Sequence, residues 1–199
     1  MLTDAEGNTA IEDFQRQLPP FLTSAKKQEI LDAIKDFPEK FNPYQYVKED
    51  PFAEQGDIFA DVPFYFYENN KKEHKIAMVL SNACDISPEN KRYAPVKVIT
   101  ALLLKFDRFS DLLRQNLPSS SAESIERDIK SQKITNMMYL PKGAALQEDY
   151  ILKFDCLTSI PLKEFLTNRG ERLARLSLFG YYMLLFKLSV HFCRFPERS

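Results

Sequence analysis

The sequence predicts a mainly β fold, a small barrel-like core over residues 52–99 and 134–160, elaborated by helices at both ends and by a helical insertion at 100–132. Three observations predict it. Apolar runs of strand length, bounded by Gly, Pro, Asn and Asp, recur at 58–67, 75–81, 93–99, 134–140 and 150–158. The apolar spacing changes to three and four residues at 100–117 and again from 171 onward, which is the pattern of amphipathic helices. Sixteen Phe and nine Tyr with no Trp make the core aromatic, and 199 residues are enough to bury one. The rival arrangement of the same elements is an α+β domain with an open sheet. The chain then divides into an N-terminal helical extension and connector, 1–51, and a barrel-like domain, 52–199, that ends in a C-terminal helix over 171–194.

Along the chain, residues 1–22 become partly amphipathic at Ile11, Phe14 and Leu18 and stop at Pro19-Pro20. Ser24 is placed to cap a helix over 25–37 whose Ile30, Leu31, Ile34 and Phe37 share a face. Pro38, Pro43 and Pro51, with Tyr44 and Tyr46 among them, make 38–54 an extended connector. Gly56 is a turn residue of unusual dihedrals before the first strand. Pro63 makes 58–67 either an edge strand or two pieces joined by a bulge. Asn69 to Lys72 form a turn, and 75–81 has the near-continuous apolar run of a central strand.

After a loop at 82–87 the strand 93–99 begins with Pro95. Leu103, Leu104, Phe106, Phe109, Leu112 and Leu113 then predict a helix over 100–117, with Asp107 or Ser110 able to cap a second start. Ser120 and Glu123 form a capping box for a polar helix through 130. Strands at 134–140 and 150–158 flank a Pro141-Lys142-Gly143 turn, and 162–166 is a helical turn. From 171, Leu173, Leu176, Phe179, Phe186, Val190 and Cys193 mark one long helix that packs across the open face of the sheet.

Twenty-seven Lys plus Arg against twenty-eight Asp plus Glu give a formal net charge of -1, so overall charge does not draw the protein to nucleic acid, whereas a local patch can. Three scattered cysteines point to reduced thiols and a cytoplasmic protein rather than a disulfide framework. No basic segment followed by an apolar run opens the chain, and no signal peptide is expected. The longest apolar stretch, 173–193, is interrupted by Arg175, Gly180, Lys187 and His191; it reads as a buried or docking helix, with no membrane partner. Cysteines and histidines lack close ligand spacing, so neither a metal nor another cofactor is expected.

Candidate chemistry gathers around the loop that follows the central strand. Asp57 and Asp85 are turn carboxylates that accept backbone N–H groups, or a paired acidic site if their loops meet. Cys84 is a buried loop cysteine or a nucleophile, for which only His74 and His191 could serve as the imidazole. Lys75, Lys91, Arg92 and Lys97, with Tyr93 interleaved, form either a solvated surface or a phosphate-contacting strip on which Tyr93 or Tyr65 stacks a base. Arg169, Arg172 and Arg175, three residues apart, line one side of a helix start and read as surface, as nucleic-acid backbone contacts, or as partners of acidic side chains.

Gln55-Gly56-Asp57-Ile58, then Val79 to Ile86 with Ser81-Asn82-Ala83-Cys84-Asp85, then Tyr93-Ala94-Pro95-Val96 resemble a group of uncharacterised bacterial proteins. These share a QGDI start, a strand ending in an S/T-Q-x-C-D sequence and an APV strand. The ending from Asp155 through Leu173, Leu178, Tyr181, His191 and Arg194 is similar to that group as well. More distantly, Gly56-Asp57-Ile58, Met78 to Ser81 and Ala94-Pro95-Val96 resemble the first three strand signatures of MazF/PemK toxins, SH3-like barrels that cut single-stranded RNA. Lys75 stands where that family has an arginine, and Lys97 where it has a serine or threonine, which removes both the bidentate fork and the hydroxyl.

The resemblance thus implies an SH3-like barrel and a module that binds single-stranded RNA in a bacterial toxin-antitoxin or phage-defence system. Lys75, Lys91, Arg92, Tyr93 and Lys97 are its expected contacts. The alternatives are a metal-independent endoribonuclease using Asp57, Lys75, Cys84 and Asp85, or a protein-interaction module. Apolar surface on the C-terminal helix adds the expectation of a homodimer or protein partner there.

Overall fold

A computed structural model describes residues 22–35, 37–38, 41–46, 51–66, 69–87 and 96–193. The amphipathic stretch expected before Pro19-Pro20 lies outside them, as do Lys91, Arg92 and Tyr93. The chain divides into two compact units, 1–41 and 42–199. The first holds α1 (Ser24–Lys35), where Ile30 and Leu31 are buried. Thr23 rather than Ser24 receives a backbone N–H, that of Lys26 at 3.4 Å, so Ser24 is already helical.

The second unit runs β1 (Tyr44–Gln45), β2 (Ile58–Phe66), β3 (Lys71–Val79), α2 (Ala83–Ile86), β4 (Lys97–Lys105), α3 (Phe106–Asn116), α4 (Ser119–Lys130), β5 (Met137–Leu140), β6 (Tyr150–Pro161), α5 (Leu162–Asn168), β7 (Arg172–Leu176) and α6 (Leu178–Phe192). The strands form one curled, open antiparallel sheet in the order β1-β7-β2-β3-β4-β6-β5. It is a mixed α/β fold built on a half-barrel; helices occupy more of the described chain than strands do, which corrects the mainly β expectation.

β3 is central, as its apolar run requires. β2 is one strand with a bulge between Phe59 and Val62, where Asp61 takes a positive φ of 52°. Pro63 is tolerated there because β7 pairs only with Ile58 and Phe59, leaving that side of β2 without a ladder to donate to. β6 bends sharply: Leu157 opposes Ala101 while Leu152 opposes Leu103, and the sheet curls at that irregularity.

Four expectations change. β4 runs on to Lys105, and the insertion starts at Phe106 rather than at 100. Val98 to Leu103 are apolar at nearly every position because β4 lies between β3 and β6, and such a run has no periodicity that separates strand from helix. Arg172–Leu176 is a strand, so the C-terminal helix starts at Leu178, where the Ser177 hydroxyl accepts the Gly180 N–H at 3.2 Å. The Ser120/Glu123 capping box is not used; α4 starts at Ser119 after Pro118 with no side-chain cap bond. The expected connector also contributes β1, an edge strand paired to β7.

One sheet face carries Phe59, Val62, Phe64, Ala77, Val79, Val98, Leu102 and Ile160, covered by Ile86 of α2 and Phe165 of α5. Phe165 meets Phe59 edge to face at 5.7 Å. α3 and α4 pack Phe106 and Ile129 on Ile151 of β6. α6 touches both β5 and β7, which lie near opposite ends of the strand order, so it spans the opening of the curled sheet. No helix among the described residues is long and apolar enough to cross a membrane.

Candidate functional site

The site is built around the fully buried Asp57. Gly56, at φ 90°, turns the chain just before it, and its own N–H donates to Val79 O at 2.8 Å. Asp57 Oδ1 accepts Arg175 Nε at 2.6 Å; Oδ2 accepts Arg175 Nη2 at 2.8 Å and Glu54 N at 2.9 Å. Arg172 Nε stands 3.1 Å from Oδ2. A two-pronged guanidinium fork on a buried carboxylate fixes β7 to the turn before β2. Asp57 thus does accept a backbone N–H, and Arg172 and Arg175 do pair with an acidic side chain.

The same arginines clamp the preceding segment. Arg169 Nη2 donates to Pro51 O at 3.1 Å, Arg172 Nη2 to Phe52 O, and Arg175 Nη2 to Phe52 O at 3.2 Å. Arg175 Nη1 also meets Glu54 Oε1 at 3.1 Å. The Arg169 guanidinium lies over Phe59 at 4.2 Å and Arg172 over the same ring at 5.4 Å. Burial, and after it the charge of Arg172, push the Arg169 pKa below its ordinary value. The buried Nε of Arg169 has no hydrogen-bond acceptor, and that of Arg172 has the ion pair with Asp57 but no well-aligned hydrogen bond.

Beside this cluster is a groove of about 1060 Å³ whose walls include Tyr44, Tyr46, Pro51, Lys142, Arg169, Glu171, Arg172 and Arg175. Tyr46 is 95% exposed. Its floor is tied down: Tyr44 Oη donates to Pro141 O at 2.6 Å, Tyr139 Oη to Asp149 Oδ2 at 2.6 Å, and Lys142 N to Asp149 Oδ1 at 2.8 Å. Burial and then the Asp149 carboxylate raise the Tyr44 pKa, so its phenol stays neutral. A second, smaller cleft of about 270 Å³ is lined mainly by apolar groups of 51–54, α2 and α5, with Cys84 and Glu54 in its wall.

The candidate residues read from the sequence do not all meet. Cys84 and Asp85 are exposed on α2, one turn long, where the loop acceptor is Asn82: its side chain receives Cys84 N at 2.9 Å. Cys84 and Glu54 share the smaller cleft, which brings α2 near the Asp57 turn. Lys97 opens β4 opposite Pro161, exposed. Lys75 opposes Val62 on β3 and pairs with Glu73 at 2.5 Å. From the Val79–Thr100 pair, Lys75 and Lys97 lie in opposite directions, about seven strand positions or roughly 20 Å apart. His191 packs between Phe154 and Phe192, at 5.9 and 4.7 Å. Among the described residues no group of three or more His, Cys, Asp or Glu could hold a metal ion.

Tyr46 and Lys142 carried no functional signal in the sequence, because the connector and the turn are brought together by long-range contacts, β1 on β7, Tyr44 on Pro141 and Ala145 on Leu173. The arginine triplet did carry one, as partners of an acidic side chain, but not on a helix start: Arg172 and Arg175 stand on β7, and Arg169 follows α5. No protein-family model matches the chain, and no curated protein matches it.

Proposed function

We propose that the protein is a binding module for single-stranded RNA, of the kind that bacterial toxin-antitoxin or phage-defence systems use, and that its curled sheet is an SH3-like barrel of MazF/PemK type opened and elaborated by helices. The strand signatures around Gly56-Asp57-Ile58 and Met78 to Ser81 support the fold part of this reading. The observation that carries the ligand part is the groove in which Arg169, Arg172 and Lys142 stand with one highly exposed ring, Tyr46. Asp57 and Glu54 offset Arg175 and part of Arg172, and Glu171 stands in the groove wall; Arg169 and Arg172 still repel each other, and an anion held in the groove relieves that repulsion. Arginine forks suit phosphate oxygens, and an exposed aromatic ring suits an unpaired base.

The endoribonuclease alternative draws less support from the geometry. Asp57 is held by Arg175, and Lys75 is held by Glu73. A second contact is favoured by α6, where Phe186 is 66% and Phe192 57% exposed: a second copy of the chain is proposed to bind there.

The RNA reading is tested by fluorescence anisotropy of a labelled single-stranded oligonucleotide. Tyr46→Ala is expected to weaken binding by about 5- to 100-fold, the range of one base-aromatic stack, and Lys142→Gln by a few-fold. Both side chains are exposed, so folding should be unchanged. Absence of binding by the parent protein at low salt contradicts the reading.

A further inference from the structure

We propose that the arginine groove and the smaller cleft beside Cys84 form one bipartite site, in which a nucleotide of the strand sets its phosphate on Arg169 and Arg172 and its unpaired base in the cleft. This rests on the reading of the groove as an RNA site. Pro51 lines both cavities, so they adjoin across the segment 51–54. Their chemistry is complementary in the way a nucleotide requires. The groove presents guanidinium donors, whereas the cleft presents Phe52, Ala53, Ile86, Leu162 and Leu166. At about 270 Å³ the cleft is smaller than a drug-sized pocket, and it suits one planar ring system rather than two. Phe52, 50% exposed, and Leu166, 38% exposed, offer apolar surface at its mouth for the face of a base.

The wall between the cavities is the part that responds. Its carbonyls, Pro51 O and Phe52 O, are held by the same guanidinium groups that face the groove. A phosphate that binds Arg169 and Arg172 shares their donors with this wall, so filling the groove and shaping the cleft are linked.

Cys84, exposed and in the wall of the cleft, reports occupancy directly. The experiment follows alkylation of the full chain by peptide mass spectrometry, with exposed Cys193 as the internal control. A base-bearing RNA oligonucleotide is compared with an abasic one of equal length, and anisotropy measures binding of each. With nine-tenths of the protein bound, the base-bearing strand is expected to slow Cys84 alkylation about tenfold by mass action, leaving Cys193 unchanged. The abasic strand is expected to bind in the groove and leave Cys84 reactive. Ala83→Phe, which fills the cleft, is expected to reduce the preference for the base-bearing strand to what stacking on Tyr46 supplies, without weakening the abasic one. Binding of the base-bearing strand with no protection of Cys84 overturns the bipartite site while the groove stands. Equal protection by the abasic strand also overturns it, in favour of closure of the wall by phosphate alone. Failure of both strands to bind removes the groove reading and this inference together.

Discussion

Asp57 accepts Arg175 through both oxygens and a backbone N–H besides, with no exposure to water. Removing one partner of such a pair leaves the other charge buried and uncompensated, which costs more than the pair itself contributes. Asp57→Ala is therefore expected to lower the unfolding free energy by about 3–5 kcal/mol in urea denaturation. Arg175→Lys keeps the charge and loses the fork, so its loss should be smaller. Lys187 is another buried charge, donating to Gln132 O, Ile134 O and Met137 O at 2.9, 2.7 and 2.7 Å. Burial pushes its pKa down to about 8. The unfolded chain, near 10.5, then holds the proton more tightly than the folded one, so this contribution to stability is full above the unfolded pKa and is lost as pH falls through about 8. Stability relative to Lys187→Met should rise between about pH 8 and 10.5 in parallel denaturation curves; a difference flat across that window contradicts it. In the sequence Lys187 appeared only as an interruption of an apolar run, since the carbonyls that hold it come from a loop some fifty residues earlier.

At the scale of elements, helix propensity and packing oppose each other at Gly180. In an open helix, replacing glycine by alanine gains about 1 kcal/mol. Here a Cβ would stand 2.4 Å from Pro43 O, a backbone atom, because Ser177 N already donates to that carbonyl at 2.7 Å. Gly180→Ala should therefore lower the melting temperature, with a net loss of about 1–3 kcal/mol as overpacking requires. β3 and the strands at 137–140 and 150–161 were legible because turns bound their apolar runs. The β4–α3 boundary was not, because a strand buried on both faces carries no alternation. β7 was hidden for another reason: five residues are too few to show a period, and what makes Arg172–Leu176 a strand is its pairing with β1 and with Ile58 and Phe59 of β2, more than a hundred positions away. Of the candidate site, the turn carboxylate and the arginine spacing were visible in the sequence. Their convergence with Tyr46 and Lys142 depends on long-range pairing that no local pattern encodes.

For the whole molecule, α6 spans the mouth of the curled sheet with Leu184 buried and leaves Phe186 and Phe192 outside. If a second copy binds that surface, Phe186→Ser should shift sedimentation at micromolar concentration from dimer toward monomer without loss of folded signal. A monomer at every concentration in the parent protein contradicts the dimer. The net charge of -1 leaves no general attraction to polyanions, so any binding of RNA must come from a local cluster. The salt dependence of affinity for a labelled single-stranded RNA measures that cluster most directly. With phosphates on Arg169, Arg172 and Lys142, log K should fall linearly with log salt with a slope of about -2, from roughly -0.7 for each contact on a single strand. Lys142→Gln should make the slope shallower by about one contact. An affinity independent of salt, or no affinity at low salt, would contradict the assignment of the groove.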